Sequence, residues 1–162
     1  MTTPPVRLAD PYRDLNVIDS HAPRFNQTFV GLVAVLGAAT GWWWLFALLA
    51  LHLGTGLTFG RRFCLTCVAY FAFIQPRFGE GPLEDSRPPR AANLIGFGVL
   101  AASSLAYVLG LDGVGLGLGI LVSVLALLAA VTGFCTGCEA YKLGRRLTGK
   151  PFVSCPIPGY RP

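Results

Sequence analysis

An eight-residue motif is written twice in this chain, each time directly after a long apolar segment. Phe63-Cys64-Leu65-Thr66-Cys67-Val68-Ala69-Tyr70 returns as Phe134-Cys135-Thr136-Gly137-Cys138-Glu139-Ala140-Tyr141, with five of eight positions identical. Shorter echoes precede each apolar segment: Pro23-Arg24 with Asn26, and Pro89-Arg90 with Asn93. A repeat of this kind constrains a fold more than any single segment, because both copies must adopt one local structure. The unit reads as Pro-Arg, apolar hairpin, CxxC.

The apolar segments set the class. Residues 29–60 are almost wholly apolar, longer than the ~20 residues of one membrane span and short for two spans with a turn. A single tilted helix is one reading. The repeat favours another: helices over 23–39 and 42–59, a turn at Thr40-Gly41, and Trp42, Trp43 and Trp44 at the far interface. The second unit is plainer, with apolar stretches 94–110 and 115–132 around the turn sequence Leu111-Asp112-Gly113. The expectation is an all-α integral membrane protein: four transmembrane helices as two tandem hairpin repeats, each ending in a CxxC. Composition agrees, with 53% hydrophobic residues, 13% charged and a mean hydropathy of +0.57.

Residues 1–22 read as a cytosolic arm and 23–141 as one membrane domain, with repeat one at 23–70, a linker at 71–88 and repeat two at 89–141. Residues 142–162 read as a cytosolic tail. The first 20 residues lack the apolar core of a secretory signal. Asp19 or Ser20 is the expected cap of the first helix, with Pro23 in its first turn.

With four spans, all 13 Lys and Arg fall on one side and only Asp112 on the other. Basic residues stay in the cytoplasm, so both termini, the linker and both CxxC pairs are expected there, in a bacterial inner membrane. A single first span would split the charges. The net charge of +5 flanks apolar segments and forms no basic helix face, which argues against nucleic acid as a partner. The lipid bilayer is the expected surrounding. Two hairpins of the same orientation form a parallel repeat, bringing both motifs to one level.

Cytosolic thiols are kept reduced, so structural disulfides are not expected of Cys64, Cys67, Cys135 and Cys138. Three readings remain. In thiol chemistry, the first cysteine of each pair needs a lowered pKa, from a helix N-terminus or from neighbours such as Arg61, Arg62, Lys142, Arg145 and Arg146. If the membrane helix instead runs unbroken through the motif, the dipole argument reverses. In a metal site, the same four thiolates form a structural zinc set, with an iron–sulfur cluster as a lesser variant. Neither pair is followed by the glycine usual in a zinc knuckle. In the plainest reading the cysteines only pack helix ends.

Other residues carry less. Cys155 is a candidate resolving thiol. His52 is the ionisable side chain inside an apolar span and so a functional candidate, though a neutral hydrogen-bonded state is the simpler expectation. Gly113, Gly115, Gly117 and Gly119, with Ala101, Ala102, Ser103 and Ser104, suit close helix packing. Glu139 reads as a solvated helix-end charge.

With the Asp19-Ser20 and Pro23-Arg24-Phe25-Asn26-Gln27 lead-in, Pro89-Arg90-Ala91-Ala92-Asn93 and the two FCxxCxAY copies, residues 19–141 resemble the bacterial domain-of-unknown-function family 4395. That family supplies no activity or catalytic residue to carry over. Its members are often encoded near thioredoxin-like and thiosulfate-sulfurtransferase proteins, so the resemblance implies thiol-redox or sulfur-relay work with a soluble thioredoxin-like or rhodanese-like partner. Cys64 and Cys135 would attack and Cys67 and Cys138 resolve. The rival is a non-enzymatic scaffold whose four thiolates hold a structural zinc.

Overall fold

The structure, a computed structural model, describes residues 9–149, and the chain is mostly helical throughout them. Four long helices form its body: α1 (His21–Thr40), α2 (Trp44–Phe59), α5 (Arg87–Val108) and α6 (Asp112–Thr132). Between α2 and α5 lie a 3-10 turn (Arg61–Phe63), α3 (Leu65–Ala69), a π-helical turn (Tyr70–Ile74) and α4 (Gln75–Phe78). α7 (Thr136–Leu147) follows α6. Two short strands, β1 (Val17–Asp19) and β2 (Leu83–Asp85), pair antiparallel with Ile18 opposite Glu84.

α1 lies along α6, α2 along α5, and α5 against α6. Neighbours run antiparallel: Arg24 lies beside Gly133 and Gly31 beside Leu127, while Phe97 covers Gly54 and Tyr107 covers Gly115. The starts of α1 and α5 therefore share one end of the body with the ends of α2 and α6. At the opposite end Trp43 stacks on Tyr107 with ring centroids 6.2 Å apart. The core between the helices is apolar, built on Phe46, Leu49, Leu100 and Ala34. Small residues make it compact, as the glycine pattern of α6 suggested: Gly119 sits under the Phe46 ring, and Ser103 donates to the Gly115 carbonyl at 2.6 Å.

Two helices, α5 and α6, are long and apolar enough to cross a membrane. α2 is equally apolar but has 16 residues. α1 starts at His21 and carries the polar residues Arg24, Asn26 and Gln27 in its first two turns. Only 17% and 28% of the spanning stretches of α5 and α6 are buried within the protein, so Leu94, Ile95, Leu121 and Val124 face outwards.

The linker, 71–88, carries regular structure. It contains most of the π turn, α4 and β2. The arm is tied to it: Ala9 and Val17 pack on Leu83, and Ser86 donates to the Leu15 carbonyl at 2.6 Å. α7 continues through residue 141 to Leu147, so the first residues of the stretch read as a tail are helical. Cys155 lies outside the described residues.

Candidate functional site

Both CxxC motifs sit at the end of the body where the Pro-Arg lead-ins gather. Each is preceded by a helix break. Gly60 (φ 83°) stops α2 and Gly133 (φ 73°) stops α6, in backbone conformations that side chains disfavour. The alternative of one unbroken helix through the motif is thereby excluded. Cys64 then takes extended backbone (φ −82°, ψ 107°) as the N-cap of α3, and Cys135 does the same (φ −90°, ψ 105°) before α7.

The two caps are made alike. Cys64 Sγ accepts the backbone N–H of Cys67 at 3.3 Å, and Cys135 Sγ accepts that of Cys138 at 3.2 Å. Each pair is closed as a disulfide with its Cα atoms 5.1 Å apart, within the usual span of such a bond. Sequence reasoning expects reduced thiols; in the structure both pairs are in the oxidised form. A capping sulfur at a helix N-terminus is where a thiolate gains most from unpaired N–H groups and the helix dipole.

The pairs differ in surroundings. Cys64 is 6% exposed and Cys67 is half-buried, whereas Cys135 and Cys138 are both half-buried. Cys64 Sγ lies 3.3 Å from Thr66 Oγ1, which donates to Asn26 Oδ1 at 2.6 Å and lies 3.3 Å from His52 Nε2. His52 Nε2 is also 3.2 Å from Asn26 Oδ1, and Asn26 Nδ2 donates to Asn93 Oδ1 at 3.4 Å. A buried polar chain thus runs from His52 in α2 to the first disulfide, anchored on amides from both lead-ins. In the second motif Gly137 stands where Thr66 does, packed tightly on Ala92.

Basic residues of the lead-ins reach the helix ends just before the motifs. Arg90 Nη2 donates to the Leu57 carbonyl near the end of α2 at 3.2 Å, and Arg24 lies over Gly133 at the end of α6. Each lead-in arginine therefore meets the helix end of the other unit. Arg61 donates to the carbonyls of Pro11 (3.0 Å), Asp14 (3.3 Å) and Leu15 (3.0 Å), holding the arm beside the site. Burial pulls its guanidinium below the usual arginine value, and Asp14 pushes it back.

A second buried group braces the motif from behind. Asp19 accepts Tyr70 Oη at 2.9 Å, Gln75 Nε2 at 3.1 Å, Gly81 N at 3.2 Å and, as the expected cap of α1, His21 N at 2.9 Å. Ser20, the other candidate cap, makes no side-chain cap bond. Glu139 pairs with Lys142 at 2.6 Å on the surface of α7.

The structure does not assemble the four cysteines into one ligand set: among the described residues no three His, Cys, Asp or Glu side chains converge on a metal-sized site. The alternative use of Cys64, Cys67, Cys135 and Cys138 as a zinc centre has no preformed geometry here. Sequence reasoning missed Thr66 altogether. It noticed Asn26 and Asn93 only as echoes of one another, which was the available signal for them.

A family model described as a domain of unknown function (DUF4395) matches residues 18–146. No curated protein and no solved structure matches the chain.

Proposed function

The chain belongs to the DUF4395 family, and from that premise, which brings no activity with it, we propose a membrane-embedded thiol–disulfide exchange protein. It works as a redox or sulfur-relay component with a soluble thioredoxin-like or rhodanese-like partner. The observation that carries the reading is the shared cap: in both motifs the first sulfur accepts the N–H of the second cysteine at a helix start. Packing alone asks for neither a hydrogen-bonded sulfur nor the same geometry twice.

In exchange, a partner thiolate attacks one sulfur of the pair and the other leaves as a thiolate. The leaving sulfur best stabilised is the capping one, Cys64 or Cys135. When the reduced pair instead acts on a substrate disulfide, the Cys64 or Cys135 thiolate attacks it, and Cys67 or Cys138 resolves the mixed disulfide. Cys135 and Cys138, on the rim of the body, suit a protein partner.

We read the four long helices as two tandem hairpins spanning a bacterial cytoplasmic membrane, both termini in the cytosol. The exposed apolar flanks of α5 and α6 support a lipid surrounding. The gathering of Arg24, Arg61 and Arg90 at one end supports the orientation.

The test is anaerobic purification followed by metal analysis and thiol counting through a reduction–oxidation cycle. Metal-free protein whose two pairs cycle reversibly is expected. Stoichiometric zinc lost in Cys64→Ser would replace this reading with the scaffold. A membrane-impermeant thiol reagent applied to intact cells is expected to leave Cys64 and Cys135 unlabelled; strong labelling of either from outside would overturn the topology.

A further inference from the structure

The first disulfide lies in the wall of a cavity of ≈ 310 Å³ between the lead-ins and the end of α2. Cys64, Cys67, Asn26, Asn93, Arg61 and Arg90 are among its lining residues, and among the described residues no Asp or Glu lines it. Its size is at the lower end for small-molecule sites. Burial of Cys64 at 6% exposure, behind this cavity, keeps a folded partner's surface away from that sulfur. Cys67, the half-buried sulfur of the pair, is the one that a molecule entering the cavity reaches.

The charge of the cavity says which kind. Arg61 spends three hydrogen bonds on the arm. Arg90 donates one to Leu57, while a guanidinium has five N–H donors. Arg90 has no carboxylate within ion-pair reach among the described residues, unlike Arg87, which pairs with Asp85 at 3.5 Å. Two amides, Asn26 and Asn93, add neutral hydrogen-bonding capacity to the wall.

We infer that this cavity is a substrate site for a small anionic thiol, which exchanges with Cys64–Cys67. The inference rests on the exchange function proposed above and names the substrate class of one of its two pairs. The thiolate attacks Cys67 Sγ, the more accessible sulfur. The Cys64–Cys67 bond breaks and Cys64 leaves as a thiolate, held by the Cys67 N–H. A second thiolate attacks the small molecule's own sulfur in the mixed disulfide, releasing the small-molecule disulfide and the Cys67 thiolate. Two thiols are oxidised by two electrons in all, and the cysteine pair gains those electrons and, on protonation, two protons.

The second pair is built for different company. Cys135 lines a smaller cavity of ≈ 110 Å³ whose lining residues include no charged side chain.

The experiment uses the full chain in neutral detergent and three reductants of one size: 2-mercaptoethanesulfonate (anionic), 2-mercaptoethanol (neutral) and cysteamine (cationic). Rates are expressed per thiolate, and each pair is followed separately by alkylation and peptide mass spectrometry. The anionic thiol is expected to reduce Cys64–Cys67 roughly five-fold faster than the neutral one, the effect of one cation a few ångströms from an anion at water-like dielectric. Arg90→Gln should abolish that preference, read as the ratio of the anionic to the neutral rate within the same variant, Arg90→Lys should restore most of it, and Arg87→Gln should leave it intact. Equal rates for all three thiols, or a preference that survives Arg90→Gln, would overturn the site while the exchange function stands. Failure of every thiol, and of a strong neutral dithiol, to reduce either pair would instead sink the exchange function itself.

Discussion

Thr66 Oγ1 stands 3.3 Å from Cys64 Sγ while giving its own proton to Asn26 Oδ1 at 2.6 Å, so one hydroxyl couples the first disulfide to the middle of the helical body. Thr66 is 3% exposed and Asn26 5%, and groups so deeply buried are costly to leave unpaired.

Thr66→Val keeps the shape and removes the hydroxyl. It strips Asn26 Oδ1 of its shortest bond and is expected to destabilise the protein by ~1–3 kcal/mol. In a Cys67→Ser background, where Cys64 is a free thiol, the same change should lower the Cys64 pKa, because a hydroxyl whose one proton goes to Asn26 can only accept from the thiol and so favours its protonated form. Thr66→Ser should restore the pKa. Ultraviolet absorbance of the thiolate against pH reads this out, and an unchanged titration would remove Thr66 from the sulfur chemistry.

Unequal burial within the first pair predicts unequal reactivity. After reduction, a bulky maleimide should modify Cys67 well before Cys64, because Cys64 is 6% exposed and Cys67 is half-buried. Cys135 and Cys138, both half-buried, should differ less. Time-resolved mass mapping of labelled peptides checks the order; Cys64 labelling first would contradict the described cavity wall.

Tyr70 gives a pH signature. Burial first, then its hydrogen bond to Asp19, pushes its phenol above the ordinary 10.0. Below pH 10.0 folded and unfolded chains both keep the proton, and the contribution is constant. Above it the unfolded chain releases its proton first, so stability falls as pH rises towards the folded value. Tyr70→Phe is expected to cost about 1 kcal/mol at neutral pH and to flatten the alkaline decline. Unfolding midpoints across the alkaline range measure both.

Two nearby glycines on different faces of α6 should respond oppositely. A Cβ at Gly119 would run into the Phe46 ring, which is fully buried, so Gly119→Ala should destabilise by ~1–3 kcal/mol. At Gly117 a Cβ meets nothing within 4 Å, and Gly117→Ala should stabilise by up to about 1 kcal/mol through helix propensity. Thermal unfolding of the two variants in detergent tests the pair.

Much of this protein could be read along the chain. The turn at Thr40-Gly41, the break between α5 and α6 near Leu111-Asp112, and the apolar length of α5 and α6 are local properties of composition and glycine placement. So is the N-cap at each CxxC, since a sulfur reaching the N–H three residues later needs only a helix to start there. Repetition of the motif made that geometry a paired expectation.

The linker and the site interior were not legible in the same way. Residues 75–91 look like a loop by composition, yet α4 forms there and the π turn runs into it, because Tyr70 and Gln75 reach a carboxylate, Asp19, more than 50 positions away. The chain alone relates Asn26 to Asn93 as echoes and singles out His52, but connects neither asparagine to His52 or to Thr66. Only the antiparallel packing of α1, α2 and α5 brings them together, across separations as long as 67 residues. Backbone pattern and glycine placement act over a few residues, and they determined where helices stop and where the sulfurs cap. Burial of polar groups demands partners wherever the fold supplies them, and tertiary structure alone decided that the first pair would have a hydroxyl, an imidazole and two amides behind it.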